Sequence, residues 1–345
     1  MSRAALVLIG LALGACAPEP EERLHTDRIV AMGTLVDIVT EVPDPELRAD
    51  LVRDIEALLR EFERDYYAWA DGELARLNQG LGRKDAVHVT PALAELLRVA
   101  QRYSEQSNGA FDPGVGTLVE LWGFHNGTAA PNGPPDPAAI AAWLERDASI
   151  LNLDIAPDGT VTRAHGETVM LDLGGIAKGT ALDRMIAELR TAGVEHALVN
   201  TGGQVRVLGS HDGRPWRVGI RAPRAEAVLG IVELQSGESV STSGDYERYY
   251  DHSGKRMHHI LDPRTGYPVT HTQAVTVVAA DGTLADAAST ALFVAGPKEW
   301  RHIAQALGVA AALRIDASGE IEMTAAMRDR FQSDGSRDSP IIAPN

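Results

Sequence analysis

Two hydrophobic periods are interspersed along this chain, and their order constrains the fold more than any other feature. Apolar residues at intervals of three and four, with capping residues, predict four helices, over 44–62, from Thr90-Pro91, from Asp136-Pro137 and over 178–192. Short apolar or alternating segments predict strands over 36–39, 197–199, 205–208, 216–220, 231–234 and 275–278. Because these elements do not alternate regularly, the pattern favours an α+β fold over a doubly wound parallel sheet.

The middle of the chain reads as one domain. Turn residues predict two hairpins, at Pro157-Asp158-Gly159 and at Asp316-Ala317-Ser318-Gly319. No internal repeat and no shift in composition divides the segment between them. We therefore predict a single catalytic domain over 28–330, with mixed or antiparallel sheets and packed helices. The tail over 331–345 is expected to be loosely ordered or to wrap over the surface.

The N-terminal segment is typical of an export signal. Arg3 precedes an apolar run over 4–13, which is too short to span about 30 Å of hydrocarbon. The alternative is a core helix with a buried thiol. The order Leu13-Gly14-Ala15-Cys16 resembles the lipobox of bacterial lipoproteins, in which the cysteine becomes the acylated first residue. We expect a signal peptide over 1–15, a Pro-rich tether over 16–27 and a lipid anchor on Cys16.

The charge balance argues against nucleic acid as a partner. The chain carries 32 Lys and Arg against 48 Asp and Glu, a formal net charge of −16. Its basic residues form no cluster beyond isolated pairs. Such a chain repels a phosphate backbone.

Three glycine- and hydroxyl-rich segments indicate an anionic ligand. The first, 172–180, leads from a predicted strand over 169–173 into the helix over 178–192, where backbone N–H groups and glycines suit a phosphate. It matches neither the Walker P-loop nor G-x-G-x-x-G. The others, 200–203 and 241–246, each follow a predicted strand. One such loop alone is more simply a tight turn, but three favour a polyphosphate ligand.

A carboxylate and a hydroxyl four residues apart indicate a possible cation site. Asp286 and Thr290 share one face of a predicted helix that opens near Leu284. Hard oxygen ligands of this kind suit Mg²⁺, which leaves positions for substrate phosphates. A capping Asp with a core-facing Thr explains the pair equally well.

The adjacent imidazoles of His258 and His259 precede a Pro- and Gly-stiffened turn. Side chains alternate along a strand, so one ring is expected to face inward and the other outward, which leaves one of them idle. Neither forms a zinc pattern, because there is no His-x₃-His and no second cysteine.

Seven motifs occur in a characteristic order: Met32-Gly33-Thr34, Gly109-Ala110-Phe111-Asp112-Pro113 with Leu121-Trp122-Gly123-Phe124, 171–179, 200–203, 241–245, 259–266, and Asp286 with Ser289 and Thr290. Together they resemble the ApbE family, the FAD:protein FMN transferases, over about 28–323. Many members of that family are exported and lipidated, which agrees with the N-terminal segment.

The resemblance implies Mg²⁺-dependent transfer of FMN from FAD to a threonine hydroxyl of an acceptor protein, with AMP released. It implies that FAD is lined by Met32, Trp69, Ala110, Phe111, Asp112, Gly174, Thr180 and Ile260. It implies that Mg²⁺ is held by Asp286, Thr290 and the backbone carbonyl of Ala177, with Ser289 close by. Tyr67 is the alternative to Trp69 as the aromatic that stacks on flavin, and Thr180 stands where many members have Tyr.

The reaction needs a base for the threonine proton. His259 is the best candidate because an imidazole titrates near neutral pH, and Asp262 could orient or replace it. Two alternatives remain, a pyrophosphatase that splits FAD to FMN and AMP, and a lipoprotein that only binds FAD. The resemblance suggests envelope redox subunits with an Asp-Gly-x-Ser/Thr-Gly-Ala-Thr segment as acceptors, on the periplasmic or other extracytoplasmic face.

Overall fold

A computed structural model describes residues 24–126, 133–164 and 169–333. Its strands are β1 (His25–Ala31), β2 (Thr34–Thr40), β3 (Val87–His88), β4 (Leu153–Ile155), β5 (Thr160–Arg163), β6 (Ala197–Thr201), β7 (Gln204–Leu208), β8 (Trp216–Arg221), β9 (Val228–Leu234), β10 (Ser239–Gly244), β11 (Tyr249–His252), β12 (Lys255–His258), β13 (Thr272–Ala279), β14 (Ala311–Asp316), β15 (Ile321–Met323) and β16 (Phe331–Ser333). Its α-helices are α1 (Pro45–Tyr66), α2 (Glu73–Arg83), α3 (Pro91–Gln106), α4 (Gly116–Leu121), α5 (Pro137–Leu144), α6 (Ala177–Thr191), α7 (Gly282–Ala306) and α8 (Ala325–Arg330).

An eight-stranded antiparallel sheet, in the order β1-β2-β6-β7-β10-β13-β14-β15, separates two hydrophobic cores. One face packs against helices that include α1, α6 and α7. The other face packs against the three-stranded sheet β16-β9-β8. Successive side chains point to opposite faces, so Val240 joins the core between the sheets while Ser241 contacts Ser289 on α7. An antiparallel sheet with helices packed on one face confirms the α+β class.

The predicted helices and hairpins are present. The Asp44 and Asp136 carboxylates and the Thr90 hydroxyl accept backbone hydrogen bonds at the starts of α1, α5 and α3, each of which has proline in its first turn. The two turn signals connect β4 to β5 and β14 to β15. The helix α2 went unpredicted, because its Gly80 argues against a helix interior; here Gly80 lies against Val87, with no room for a side chain.

Two sequence predictions are wrong. The predicted strand over 169–173 is reduced to an isolated parallel bridge between Met170 and Val115, and the backbone N–H and C=O of Leu171 bond to the Asn78 side chain. The segment 241–244 is not a loop that follows a strand, because it lies within β10 and pairs with β13.

The folded part also extends beyond the predicted domain boundaries. The strand β1 begins at His25, before 28, and β16 takes Phe331–Ser333 from the predicted tail into a sheet with β9. The predicted signal peptide, Cys16, most of the tether and the rest of the tail lie outside the described residues. Within the described ranges, no helix combines the length and apolar character needed to cross a membrane.

Candidate active site

A buried polar seam lies between the large sheet and the two helices α6 and α7. The sheet contributes Gln204 from β7 and Ser241 and Ser243 from β10. The helices approach closely at Gly179 and Gly282, where a side chain on Gly179 would collide with the Gly282 carbonyl oxygen. Glycine in the segment 172–180 is therefore needed for the packing of α6 against α7, whether or not the segment also binds a ligand.

Asp286 lies at the centre of this seam and is 2% exposed. Its Oδ2 accepts a hydrogen bond from the Gly179 N–H at 2.9 Å, and its Oδ1 accepts one from Gln204 Nε2 at 2.7 Å. Burial raises the pKa of the Asp286 carboxyl, and the positive charge of Lys178 opposes that rise. Two neutral donors, the Gly179 N–H and the Gln204 amide, thus hold the carboxylate in place near the positive charge of Lys178.

Asp286 does not cap its helix. The N-cap of α7 is Asp281, whose Oδ1 accepts from the Leu284 N–H at 2.7 Å. Asp183 on α6 accepts from the N–H groups of Gly282 and Thr283 as well. The capping explanation of the Asp286–Thr290 pair is therefore excluded, and Asp286 lies one turn inside the helix.

Three hydroxyl groups cluster beside the backbone of Asp286. Ser243 Oγ is 2.8 Å from Ser289 Oγ and 3.4 Å from Thr290 Oγ1. Ser289 Oγ also donates to the Asp286 carbonyl at 2.9 Å. A buried carboxylate with hydroxyls on the same helix offers hard oxygen ligands, which a small divalent cation prefers. Ala177, the first residue of α6, lies two positions before Gly179 and so belongs to the same corner.

The predicted flavin aromatic is fixed by the glycine-rich segment. Trp69 Nε1 donates to Asp172 Oδ2 at 3.2 Å, and Asp172 Oδ1 accepts from the Gly174 N–H at 2.7 Å. The half-buried Trp69 ring lies 4.8 Å from the His125 ring. Tyr67 is more exposed, at 44%, and its hydroxyl donates to the His125 carbonyl.

Phe111 reaches the seam but Asp112 does not. A side chain on Gly175 would lie 3.3 Å from Phe111 Cε2 and 3.5 Å from Thr290 Oγ1, so these residues meet at one point. Ala110 is buried beside Phe111. The Asp112 carboxylate accepts four hydrogen bonds from its own surroundings, namely from the N–H groups of Gly114 and Ile150 and the hydroxyls of Ser104 and Ser149. The buried Asp112 side chain therefore holds the surrounding segments together by hydrogen bonds.

The two adjacent histidines have different surroundings. Both ring nitrogens of His258 are used, Nε2 towards the Val269 carbonyl at 2.6 Å and Nδ1 as acceptor from the Ile260 N–H. His259 contacts the Arg248 carbonyl through Nδ1 at 3.3 Å, and among the described residues its Nε2 has no hydrogen-bond partner. Because a carbonyl only accepts, Nδ1 carries the proton and Nε2 is the basic nitrogen. Burial and the charge of Arg248 hold the pKa of His259 well below its usual range.

The structure does not place Asp262 against His259. Its carboxylate is paired with Arg264, which donates through its backbone N–H, Nε and Nη2 at 2.9 to 3.0 Å. The prediction that Asp262 orients or replaces the base therefore has no contact to support it, because the Asp262 carboxylate is hydrogen-bonded to Arg264 within the turn. Ile260, between the two, is buried in the large core.

Two further predicted residues, Thr180 and Met32, are held by contacts of their own. Thr180 Oγ1 donates to the Ile176 carbonyl and lies 3.1 Å from Thr283 Oγ1, so it links α6 to α7. Met32 has a left-handed φ of 53° at the β1–β2 turn, and its N–H donates to Glu63 at 3.3 Å.

Gln204 and Lys178 are the neighbours of Asp286 that sequence reasoning did not single out. Val205 points into the core between the two sheets, so the side-chain alternation along β7 places Gln204 on the other face of the sheet, which packs against the helices. That signal was available, but it does not say which helix residue Gln204 meets.

A separate cluster lies away from the seam. Glu41, His211 and Asp212 are the only group of three such side chains within the described ranges whose ligand atoms lie within 4.8 Å of one another. Glu41 and His211 follow the ends of β2 and β7, whereas Gln204, which contacts Asp286, is the first residue of β7. The cluster is therefore distinct from the Asp286 corner.

Comparisons with known proteins agree on one family. The model of the ApbE family matches residues 32–313. A protein of Rhodobacter capsulatus named FAD:protein FMN transferase is 42% identical over 340 residues, which is 98% of this chain and 64% of that protein. A protein of the same name from Haemophilus influenzae is 30% identical over 90% of this chain and 92% of its own length. The crystal structure of the ApbE protein from Thermotoga maritima has a TM-score of 0.81 at 33% identity, covering 89% of this chain and 99% of that one.

The fold and the seam define an α+β protein with a buried carboxylate and hydroxyl site between a sheet and two helix starts. The chain belongs to the ApbE family. It spans less than two thirds of the length of the Rhodobacter relative and nearly all of the Haemophilus one.

Proposed function

We propose that this chain is an FAD:protein FMN transferase that moves FMN from FAD to a threonine hydroxyl of an acceptor protein and releases AMP. The observation that carries the proposal is the buried Asp286 carboxylate, which Gln204 and Gly179 hold. On the same helix, the Ser289 and Thr290 hydroxyls contact the Asp286 backbone carbonyl. The names of the relatives support the flavin and the protein acceptor.

The residues of the seam would hold Mg²⁺ through Asp286, Thr290 and the Ala177 carbonyl, with Ser289 close by. When bound, the cation neutralises the diphosphate of FAD and so permits attack by an alcohol. The donor set fits this role, because the buried Gln204 Oε1 has no partner among the described residues and would face a polar ligand.

His259 serves as the base in this proposal. Its Nε2 accepts the threonine proton while the threonine oxygen forms a bond to the FMN phosphorus, and the bond from that phosphorus to the bridging oxygen breaks as AMP leaves. The lowered pKa leaves Nε2 unprotonated near pH 7, although it makes the ring a weaker base than a free imidazole. The Trp69 ring, fixed through Asp172, offers the face on which the flavin stacks.

The decisive experiment incubates the protein with FAD, Mg²⁺ and an acceptor that carries an Asp-Gly-x-Ser/Thr-Gly-Ala-Thr segment. We expect flavin fluorescence on the acceptor band after denaturing electrophoresis, and one AMP released for each flavin attached. An acceptor with its last Thr replaced by Ala is the matched control. Free FMN and AMP without labelled acceptor would indicate a pyrophosphatase, and bound FAD without turnover would indicate a binding protein.

We further propose that the protein is anchored by lipid on Cys16 at the extracytoplasmic face of a bacterial envelope. Several acyl chains on one residue anchor stably, whereas a single chain binds weakly. Cys16→Ser should release the protein from the membrane fraction or block its processing. Unchanged membrane association of that variant would contradict the anchor.

A further inference from the structure

Gln204 is in an unusual position for a glutamine. It is the first residue of β7, it is 4% exposed, and its side chain lies on the helix-facing side of the sheet. Its Nε2 donates to Asp286 Oδ1 at 2.7 Å, while the Gly179 N–H takes Oδ2. The orientation of the amide follows from chemistry, because only the NH₂ group can donate to a carboxylate.

The other end of the same amide is unsatisfied. Gln204 Oε1 is buried and has no hydrogen-bond partner among the described residues. Buried polar atoms are almost always paired in native proteins, and an exception calls for a water or a ligand at that point. Because the amide is joined to Asp286 at one end, the unsatisfied oxygen lies at the edge of the same corner.

We infer that Gln204 is a positioning residue for the cation site: its Nε2 fixes the Asp286 carboxylate, and its Oε1 accepts a hydrogen bond from a water of the bound cation. The inference rests on the proposed function only for the presence of a divalent cation. Carboxylate ligands are themselves held by hydrogen bonds, and Mg²⁺ keeps several of its waters when it binds. Gln204 supplies both needs from one side chain.

The test measures Mn²⁺ binding to the protein by electron paramagnetic resonance, without FAD or acceptor. Gln204→Met keeps the length of the side chain and removes both polar atoms. We expect its Mn²⁺ affinity to fall by about 10- to 100-fold, as for other residues that support a metal ligand. Adding Gln204→Met to Asp286→Ala should cause no further loss, because the effect acts through that carboxylate.

Ser239→Ala is the matched control. Ser239 is fully buried on the same face of the sheet, and its hydroxyl bonds to the Val205 carbonyl at 2.8 Å, away from Asp286. It should bind Mn²⁺ like the wild type. In kinetics, Gln204→Met should raise the Mn²⁺ or Mg²⁺ concentration needed for half-maximal rate, and excess metal should restore kcat.

Melting in EDTA shows whether each variant is folded. If Gln204→Met does not fold, Gln204→Asn retains an amide that is one methylene too short, and the same weakened binding is expected. Mn²⁺ affinity within twofold of the wild type in a folded Gln204 variant, or no Mn²⁺ binding by the wild type, would overturn the inference. Mn²⁺ binding that depends on Gln204 in a wild type that transfers no FMN would instead overturn the proposed function and leave this inference in place.

Discussion

The indole N–H of Trp69 donates to Asp172 Oδ2 at 3.2 Å and thereby joins two residues that lie 103 positions apart in the sequence. The other oxygen of that carboxylate accepts from the Gly174 N–H. The aromatic ring and the glycine-rich segment are therefore fixed relative to each other.

Replacement of Trp69 tests this arrangement. Trp69→Ala should weaken FAD binding by about 2- to 10-fold, the usual contribution of an aromatic stack. Tyr67→Ala should have a smaller effect, because Tyr67 is nearly half exposed and its hydroxyl bonds only to the His125 carbonyl. Titration of FAD fluorescence in EDTA measures both. A larger loss for Tyr67→Ala would show that Tyr67 stacks on the flavin.

His259→Ala should lower kcat by about 10²- to 10⁴-fold, since it removes the proposed general base. Because the pKa of His259 is depressed, Nε2 stays unprotonated as the pH falls through 6.5, and activity should be lost only at lower pH. The pH profile of kcat/KM measures this acidic limb, which His259→Ala should abolish.

His258→Gln is the control for that experiment. Both nitrogens of His258 serve internal hydrogen bonds, so this variant should melt at a lower temperature but keep the acidic limb of the folded enzyme. If His258→Gln abolishes the limb and His259→Ala does not, the base has been assigned to the wrong ring.

Asp286→Asn should abolish AMP release while the protein stays folded. The helix α7 keeps its cap, because Asp281 and not Asp286 accepts the first-turn N–H groups. In EDTA, the free energy of unfolding of the variant should therefore lie within about 1–3 kcal/mol of the wild-type value, the cost of a disturbed buried hydrogen bond. EDTA should also abolish AMP release by the wild type. Full transfer by Asp286→Asn, or by metal-free wild type, would remove the need for a cation.

Asp262→Asn should affect stability more than chemistry. It weakens the three contacts with Arg264, a partly exposed ion pair, and should lower the free energy of unfolding by about 1 kcal/mol. Chemical denaturation measures this change. The pH profile of kcat/KM should remain as in the wild type, and a shifted acidic limb would show that Asp262 does act on His259.

Several parts of the site could be predicted because their causes are local. Proline and capping residues at 44–45, 90–91 and 136–137 start helices wherever they occur before an amphipathic segment. The four-residue spacing of Asp286 and Thr290 places both on one helix face in any fold. The adjacent His258 and His259 differ in environment because strand side chains alternate.

Other parts depended on contacts between distant segments. The backbone of Leu171 bonds to the Asn78 side chain rather than to a strand. The carboxylates of Asp112 and Asp262 accept hydrogen bonds from nearby protein groups. The sequence shows that each carboxylate could bind a ligand, but it does not show which protein group contacts that carboxylate in the fold. Hydrogen bonds form with whichever group is close in space, and that distance is a tertiary property.

The sequence by itself determined the α+β class, the main helices, the family and the carboxylate and hydroxyls of the candidate cation site. Only the tertiary structure decided that Gln204 meets Asp286, that Trp69 meets Asp172, and that His259 rather than His258 keeps a free nitrogen. The physical reason is that hydrophobic period and capping act over a few residues. The register of β7 against β10 and the packing of α6 on α7 arise only when the whole core closes.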